Sequence, residues 1–509
     1  MLHQSQSPFS NRFAQFLDWV CFYMYRPWYL LLDEFLCCFV PTTQELKTPW
    51  RRLPHLFIIA PLTLLGTIAT LPLLVISFSL WFLLVQPFIV QPFIYSCSIR
   101  KETVSYLKDQ YTFVTANVCL LPNCVGRMNN LTHNTLRGSE MGREFARTGA
   151  KVSGDCDGCD GTSHLTQLSK ANTTIKNNGH VQNGAAPVRI PAAKGKEEDP
   201  IDHAILTEFP ASDFVCFQET FDRQSSKRLV EELHKCYSYI IYDVGVHSLH
   251  SNFYTYNSGL AIASKYPIMH AEFDYFQDSK MQCRLSSKGV LITKILLGQN
   301  STGQDVVGYL TNTHLQAYPG KDKTHLKQLD CLVQWLEEFR SKKDSFGEVV
   351  AFDVVCGDFN FDNMSPGHHY CWEHPLFDKY VDICRVKPGL DKEWVLGTDR
   401  RHIPMWDPRI GTPEKFKSAL EDPALRQYYV FDADIEVSSL DYAGVMPERD
   451  EHGDIILKPT VGGKRRLDYI LFRRGSIQNV TRLNFVTQLV LLTDHIPVSM
   501  TLRTIKAAK

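Results

Sequence analysis

The segment VAFDVVCGDFNFDN, residues 350–363, contains the pattern that decides the fold. Its first seven residues are apolar except for Asp353 and are rich in valine, which predicts a buried strand. Gly357, Asp358 and Asn360 follow at the point where the chain leaves that strand. Because Asp358 and Asn360 are two residues apart on a segment expected to be extended, the pattern predicts that both side chains face the same side.

Similar runs recur on both sides of this segment. Their short length and their content of Val, Ile, Phe and Tyr predict strands over residues 111–120, 214–217, 239–244, 260–263, 290–297, 306–313, 349–356, 467–472 and 498–502. Apolar residues at helical spacing predict helices over 225–236 and 323–340. Strands that alternate with helices indicate an α/β fold with a two-sheet core.

Polar side chains recur where the predicted strands end. Taken singly, an Asp, Asn or His after a strand is usually a turn former or a hydrogen-bonded residue. Taken together, they supply oxygen ligands of the kind Mg²⁺ prefers and an acid–His pair suited to general-base catalysis. The residues are Asn117, Glu219, His314, Asp358, Asn360, Asp468, Asp494 and His495.

The N-terminal region, 1–101, predicts a membrane anchor. Residues 53–99 contain no Asp, Glu, Lys or Arg, and one crossing needs about 20 apolar residues. Gly66 and Pro72 near the middle suit a turn, and basic pairs at 51–52 and 100–101 favour the same, cytoplasmic side for both ends. We therefore expect an apolar hairpin, with a buried helical pair as the alternative. Residues 13–40 predict either a second inserted segment or an interfacial helix.

The remaining chain, 102–505, predicts one catalytic domain. Low hydrophobicity over 138–200 predicts a flexible insert within it. A net charge of −1 over 509 residues excludes a general polybasic nucleic-acid binder. Fifteen scattered cysteines favour a reducing compartment over a disulfide scaffold.

The motifs FVTANV, CFQE, THL, GDFN, RLDYI and TDH, in this order, resemble the signature of the magnesium-dependent, DNase I-like endonuclease/exonuclease/phosphatase superfamily. ANVCLLP (116–122), NSGLAIASKYPI (257–268) and FVTQLVLLTDHIPV (485–498) resemble the membrane-anchored neutral sphingomyelinases within it. The pattern is similar to the type 2 enzyme and to its mitochondria-associated paralogue, and the short insert favours the paralogue or a divergent relative. The resemblance implies a four-layer α/β sandwich and hydrolysis of sphingomyelin to ceramide and phosphocholine.

The resemblance also implies roles for the polar residues. Glu219, Asn117 and Asp494 are expected to hold Mg²⁺, with Mn²⁺ as a substitute. His495 is expected to be the general base, oriented by Asp468. Asp358 and Asn360 would orient the water and a phosphate oxygen, and His314 would donate to the phosphoryl group or the leaving oxygen. Asn257 and Lys288 are expected to contact the substrate.

Lys288 departs from the family pattern in its surroundings. Relatives are expected to have an Asp five residues before it, where this chain has Cys283, and Asp278 lies ten residues before it. Either the loop is aligned differently or the switch that the two residues form is altered.

The resemblance leaves several alternatives open. Lysophosphatidylcholine or a platelet-activating-factor-like lipid is a rival substrate, and a catalytically silent lipid-binding scaffold is a rival function. An anionic phospholipid such as phosphatidylserine is the expected activator, and no nucleic-acid partner is expected. Golgi, plasma membrane, endoplasmic reticulum and mitochondria all suit the anchor, and the sequence leaves the oligomeric state open.

Overall fold

The computed structural model describes residues 3–98, 107–153, 201–245, 256–317, 323–436, 445–475 and 477–504. Seventeen strands lie in these residues. They are β1 His3–Gln6, β2 Ile94–Ser98, β3 Gln110–Asn117, β4 Asp202–Leu206, β5 Phe214–Gln218, β6 Tyr239–Tyr242, β7 Ala261–Ser264, β8 Ile268–Tyr275, β9 Gly289–Gln299, β10 Asp305–His314, β11 Val349–Asp358, β12 Tyr380–Val381, β13 Arg385–Lys387, β14 Leu390–Asp391, β15 Asp468–Arg473, β16 Ile477–Val486 and β17 Val498–Thr504.

The strands form two large sheets. The first has nine strands in the order β1-β2-β6-β7-β5-β3-β17-β16-β4, and the second has six in the order β12-β15-β11-β10-β9-β8. Aromatic side chains of both sheets meet in the core between them; the rings of Phe113 and Phe352 are 4.9 Å apart and edge to face. All nine predicted strands are confirmed, whereas the sequence missed β1, β2, β4, β8, β12, β13, β14 and β16.

Helices cover the outer faces of both sheets. The α-helices are α1 Arg12–Cys37, α2 Thr43–Leu46, α3 Ala60–Leu84, α4 Asn123–Gly126, α5 Asn134–Ser153, α6 Arg223–Leu233, α7 Thr324–Lys343, α8 Leu376–Lys379, α9 Pro413–Glu421 and α10 Pro423–Tyr429. Helices α5 and α6 pack on the nine-stranded sheet, and α7 packs on the six-stranded sheet. This arrangement confirms the predicted four-layer α/β sandwich.

The predicted hairpin turn at Gly66 and Pro72 is wrong, because α3 runs through both residues. Gly66 instead packs against α1: a Cβ added there would be 3.1 Å from Leu31 Cδ1. The hydroxyls of Thr67 and Thr70 donate to main-chain carbonyls one turn earlier, which helps a helix to tolerate polar and helix-breaking residues in apolar surroundings. Among the described residues, Pro49–Phe88 is the stretch long and apolar enough to cross a membrane, and it suggests membrane association.

Two predicted boundaries also need correction. Strands β1 and β2 extend the nine-stranded sheet, so the α/β fold includes residues on both sides of α1 and α3 and does not begin at 102. The insert does not begin at 138, because α5 continues to Ser153. Gly142 in this helix permits close packing on α6, because a Cβ there would lie 2.5 Å from that of Glu232. Residues 154–200 lie outside the described residues.

The strand register gathers the polar strand ends at one edge of the sandwich. In the second sheet, Asp358 lies opposite His314 on one side and Asp468 on the other. In the first sheet, Asn117 lies opposite Gln218, which precedes Glu219. Residues far apart in the sequence therefore converge because their strands end together.

Candidate active site

Three of the converging side chains form a compact group. The ligand atoms of Glu219, His314 and Asp358 all lie within 4.8 Å of one another. His314 Nε2 is 3.5 Å from Asp358 Oδ2 and 3.8 Å from Glu219 Oε1. Asn117 joins the group because its Nδ2 donates to Asp358 Oδ2 at 2.9 Å.

Glu219 reaches the site through a left-handed backbone conformation, with φ of 62°. Gly259, on a neighbouring loop, leaves room for this turn. It has φ of 72°, and a Cβ there would be only 3.1 Å from Glu219 Cα. A non-glycine residue rarely adopts such a backbone, and strain of this kind concentrates at functional sites.

His495 and Asp468 form the predicted acid–His pair. His495 Nδ1 and Asp468 Oδ2 are 2.8 Å apart, and Nε2 points toward Asp358, with Oδ2 at 3.9 Å. Thr398 contacts the main chain on both sides of this pair. Its Oγ1 accepts from the main-chain N–H of Leu467 and of Asp468. Its carbonyl accepts from Ile496 N, next to His495. Thr398 therefore holds the segment of Asp468 and the segment of His495 in a fixed relative position.

The electrostatics of the site follow from its burial. Burial alone would lower the pKa of His495, but the carboxylates of Asp468, Asp358 and Asp494 outweigh it and raise that pKa well above the usual value. Burial raises the pKa of Asp358 to about 7, assisted by the charge of Asp468, and it also raises the pKa of Glu219. Burial in this site therefore disfavours the charged forms of both carboxyl groups.

A bound divalent cation fits this arrangement. Glu219 and Asp358 supply carboxylate oxygens, and Asn117 Oδ1, which accepts from Cys119 N, retains a second lone pair. Hard oxygen donors suit Mg²⁺, and a cation beside the two carboxylates would offset the cost of their burial. His314, which the sequence assigned to proton donation, lies within this ligand group.

His314 and Lys288 are in direct contact. The Lys288 ammonium donates to His314 Nε2 at 2.7 Å and to the carbonyl of Leu315 at 3.0 Å. Burial and the adjacent ammonium lower the pKa of His314 well below its usual value. In this arrangement the cationic donor is Lys288 and His314 Nε2 accepts, which differs from the role expected for His314.

The expectation that Asp358 and Asn360 share one face of an extended segment is wrong. β11 ends at Asp358, and Asn360 has φ of 52° in a tight turn closed by Asn360 N donating to Asp358 Oδ1 at 2.9 Å. The turn still brings Asn360 to the site, because its Nδ2 donates to the Leu315 carbonyl that Lys288 also contacts.

Asp494 lies at the margin of the group. Its Oδ2 accepts from Asn129 Nδ2 at 2.5 Å, and it is not among the three residues whose ligand atoms lie within 4.8 Å of one another. Asp278 is exposed and pairs with Lys327 at 3.2 Å, so it does not replace the missing partner of Lys288. The Cys283 thiol accepts from Ala317 N.

Asn257 lies on the loop that packs against Glu219. Its Oδ1 accepts from Gly259 N, and its Nδ2 donates one hydrogen to Asp243 Oδ1 at 2.8 Å. An amide nitrogen has a second hydrogen, which suits an anionic oxygen.

Three supporting residues escaped the sequence analysis. They are Thr398, Asn129 and Asn312. Asn312 Nδ2 crosses between the sheets to the carbonyls of Phe217 and Ala261. No local pattern signals such contacts, but an Asn two residues before His314, inside a buried strand, was an available hint because buried amides need partners.

Several known proteins are similar to this chain. The model of the "Endonuclease/Exonuclease/phosphatase family" matches residues 198–495. "Sphingomyelin phosphodiesterase 5" of Danio rerio is 31% identical over 98% of this chain and 98% of its own. "Sphingomyelin phosphodiesterase 3" of Mus musculus is 37% identical over 60% of this chain and 47% of its own. The crystal structure of SmcL aligns with 77% of this chain and 99% of its own, at 15% identity and a TM-score of 0.39.

Proposed function

The chain belongs to the endonuclease/exonuclease/phosphatase family, where it groups with the sphingomyelin phosphodiesterases, and we propose that it hydrolyses sphingomyelin to ceramide and phosphocholine. The observation that carries the chemistry is the His495–Asp468 pair. His495 Nε2 faces Asp358, which belongs to the same compact group as Glu219 and His314.

The geometry supports attack by a water molecule on phosphorus. Asp468 holds the proton on His495 Nδ1, which leaves Nε2 to take a proton from the water as the new P–O bond forms. The P–O bond to the ceramide oxygen breaks, and that oxygen takes up a proton from solvent, which balances the proton that His495 accepts. Lys288 supplies positive charge beside His314, and Asn257 approaches a phosphate oxygen through its second N–H.

Glu219, Asn117 and Asp358 would hold Mg²⁺, with Mn²⁺ as a substitute, and His314 lies within reach of the same ion. The ion would neutralise the charge that develops on the phosphodiester. Asp494 would act on this site through its charge, since it raises the pKa of Glu219.

The protein would lie on a membrane with α1 and α3 in the plane of the interface. Both ends of α3 are tied to the same sheet or its loops: β2 follows it, and Thr43 N donates to Asn130 on the side that precedes it. Helix α3 also runs beside α1, from Ser77 near Cys21 to Gly66 near Leu31. If α3 lies in the interface and both of its ends are attached to one domain, both ends lie on the same side of the membrane and no hairpin is needed.

The domain would face the cytosol, on the Golgi or plasma membrane or on mitochondria or endoplasmic reticulum. An anionic phospholipid such as phosphatidylserine would activate it, and Arg51, which lies over the ring of the exposed Trp50, is a candidate contact.

The test measures phosphocholine release from sphingomyelin in mixed micelles, with Mg²⁺ or EDTA, for wild type and His495→Ala. Release that needs both Mg²⁺ and His495 is expected. Lysophosphatidylcholine and a short DNA duplex run in parallel. If only lysophosphatidylcholine is hydrolysed, the lysolipid and not sphingomyelin is the substrate. If no lipid is hydrolysed even with anionic lipid present, the result favours the scaffold function.

A further inference from the structure

A chain of polar contacts connects the anchor helices to Asn257. Trp81 Nε1 on α3 donates to Asp18 Oδ1 on α1 at 3.0 Å, and Asp18 Oδ2 accepts from Arg223 Nη2 at 2.7 Å. Arg223 Nε is 3.4 Å from Asp243 Oδ2, and Asp243 Oδ1 accepts from Asn257 Nδ2 at 2.8 Å. We call these five residues the anchor relay.

The charges of the anchor relay are unusual for an apolar anchor. Asp18 is 8% exposed on a helix otherwise rich in aromatic side chains. A buried carboxylate is costly unless it is paired, and its two partners belong to different parts of the molecule: one to α3 and one to α6. Arg223 also lies over the ring of Phe22, 5.0 Å from its centroid, so α1 holds the guanidinium by charge and by its aromatic face.

The catalytic end of the anchor relay is equally constrained. Asp243 has φ of 51°, a left-handed conformation at the end of β6, and it divides its two oxygens between Arg223 and Asn257. Loss of Arg223 would remove a cationic partner of Asp243. The left-handed backbone at Asp243 could then relax toward a more favourable conformation. Asn257 would then lose the fixed acceptor that orients its amide.

We propose that Arg223 is a positioning residue that couples the seating of α1 and α3 to the orientation of Asn257. The proposal rests on the proposed function, in which Asn257 contacts the substrate phosphate. Helix α1 presents Phe16, Trp19, Tyr23 and Leu30 at its exposed surface, so contact with lipid acts on the helix that holds Asp18.

The test is a double-mutant cycle on the full-length protein in vesicles that contain sphingomyelin and phosphatidylserine. Asn257→Ala and Arg223→Met are each expected to lower kcat/KM about tenfold, the effect of one well-placed hydrogen bond. If Arg223 acts through Asn257, the double variant should be no slower than Asn257→Ala alone. Arg223→Lys should restore part of the loss.

Arg127→Met is the matched control. Arg127 also joins the anchor to the catalytic domain, through Glu45 and the carbonyl of Val40. Within the part of the chain that the structure describes, no contact leads from Arg127 to Asn257. This variant should keep kcat/KM within about twofold of wild type. Asp243→Asn serves as a second, nearly isosteric variant, and it should behave like Arg223→Met if the ion pair matters.

Two outcomes overturn the anchor relay. In the first, the activity losses of Arg223→Met and Asn257→Ala multiply in the double variant. In the second, Arg127→Met loses as much activity as Arg223→Met. Failure of the proposed function is distinct from these, because it shows as wild-type protein that releases no phosphocholine.

Discussion

Asp468→Asn removes the charge that orients His495 and leaves the shape of the side chain. His495 Nδ1 and Asp468 Oδ2 are 2.8 Å apart in a buried site. Two unit charges about 4 Å apart at an effective dielectric constant of about 20 interact by ~4 kcal/mol, which corresponds to about a thousandfold in rate. An amide in place of the carboxylate can also donate to Nδ1, and the ring proton then moves to Nε2. The expected loss of kcat is therefore between about a thousandfold and ten-thousandfold.

The pH profile separates this effect from simple damage. The base must be deprotonated to accept a proton, so activity rises as pH rises through the pKa of His495. The carboxylates around His495 raise that pKa. Asp468→Asn removes the largest of them, so the midpoint of the acidic limb should move to lower pH while the plateau falls. Phosphocholine release from micellar sphingomyelin, measured from about pH 5 to pH 9, checks both changes.

The matched control is Asp213→Asn, at the end of β5 remote from Glu219. Asp213 is similarly buried and accepts from Thr112 N and Lys108. It should lose stability but keep the midpoint of the acidic limb. The reasoning is refuted if Asp468→Asn keeps more than a tenth of the wild-type kcat, or if its acidic midpoint does not move.

Three further perturbations have expected outcomes. Glu219→Gln should raise the free Mg²⁺ concentration needed for half-maximal activity at least tenfold, because it removes a carboxylate from the proposed ligand group; a Mg²⁺ titration that starts from EDTA-treated protein checks this. Asn312→Leu should lower the free energy of unfolding by about 2–4 kcal/mol, because two carbonyls and Gln218 lose partners; urea denaturation measures it. Gly142→Ala should destabilise by about 1–3 kcal/mol, although alanine favours helices, because its Cβ would lie 2.5 Å from that of Glu232. Gly411→Ala, with ordinary φ and its nearest atoms 3.5 Å away, should be neutral, and equal effects would contradict the packing of α5 on α6.

The strands of the core were predictable because burial imposes a simple pattern on them. β10 and β11 are almost fully buried strands rich in valine that end in His314 and Asp358, and their parallel pairing follows from the helix between them. The missed strands lie mostly toward the edges of the sheets. β4 and β8 are partly exposed, so their sequences lack the continuous apolar pattern on which the prediction depended.

The site was predictable in its members and less so in their contacts. Residue types at strand ends point to Asp358 and His495, but the distance between them depends on how two strands far apart in sequence end together. Thr398 illustrates the limit: a threonine in a loop carries no signal that its hydroxyl accepts from two successive main-chain N–H groups. Its importance depends entirely on tertiary contacts.

The anchor shows how turn-forming residues in an apolar stretch can lead to a wrong conclusion about its shape. Basic residues at both ends of the apolar stretch predicted that the ends share one side, and a turn at Gly66 and Pro72 was the simplest way to achieve it. In the structure α3 is continuous, and β1 and β2, which flank the two helices, pair with each other. A glycine that permits close helix packing and a glycine that permits a turn are the same residue in the sequence. Only the neighbour, here Leu31 on α1, distinguishes them.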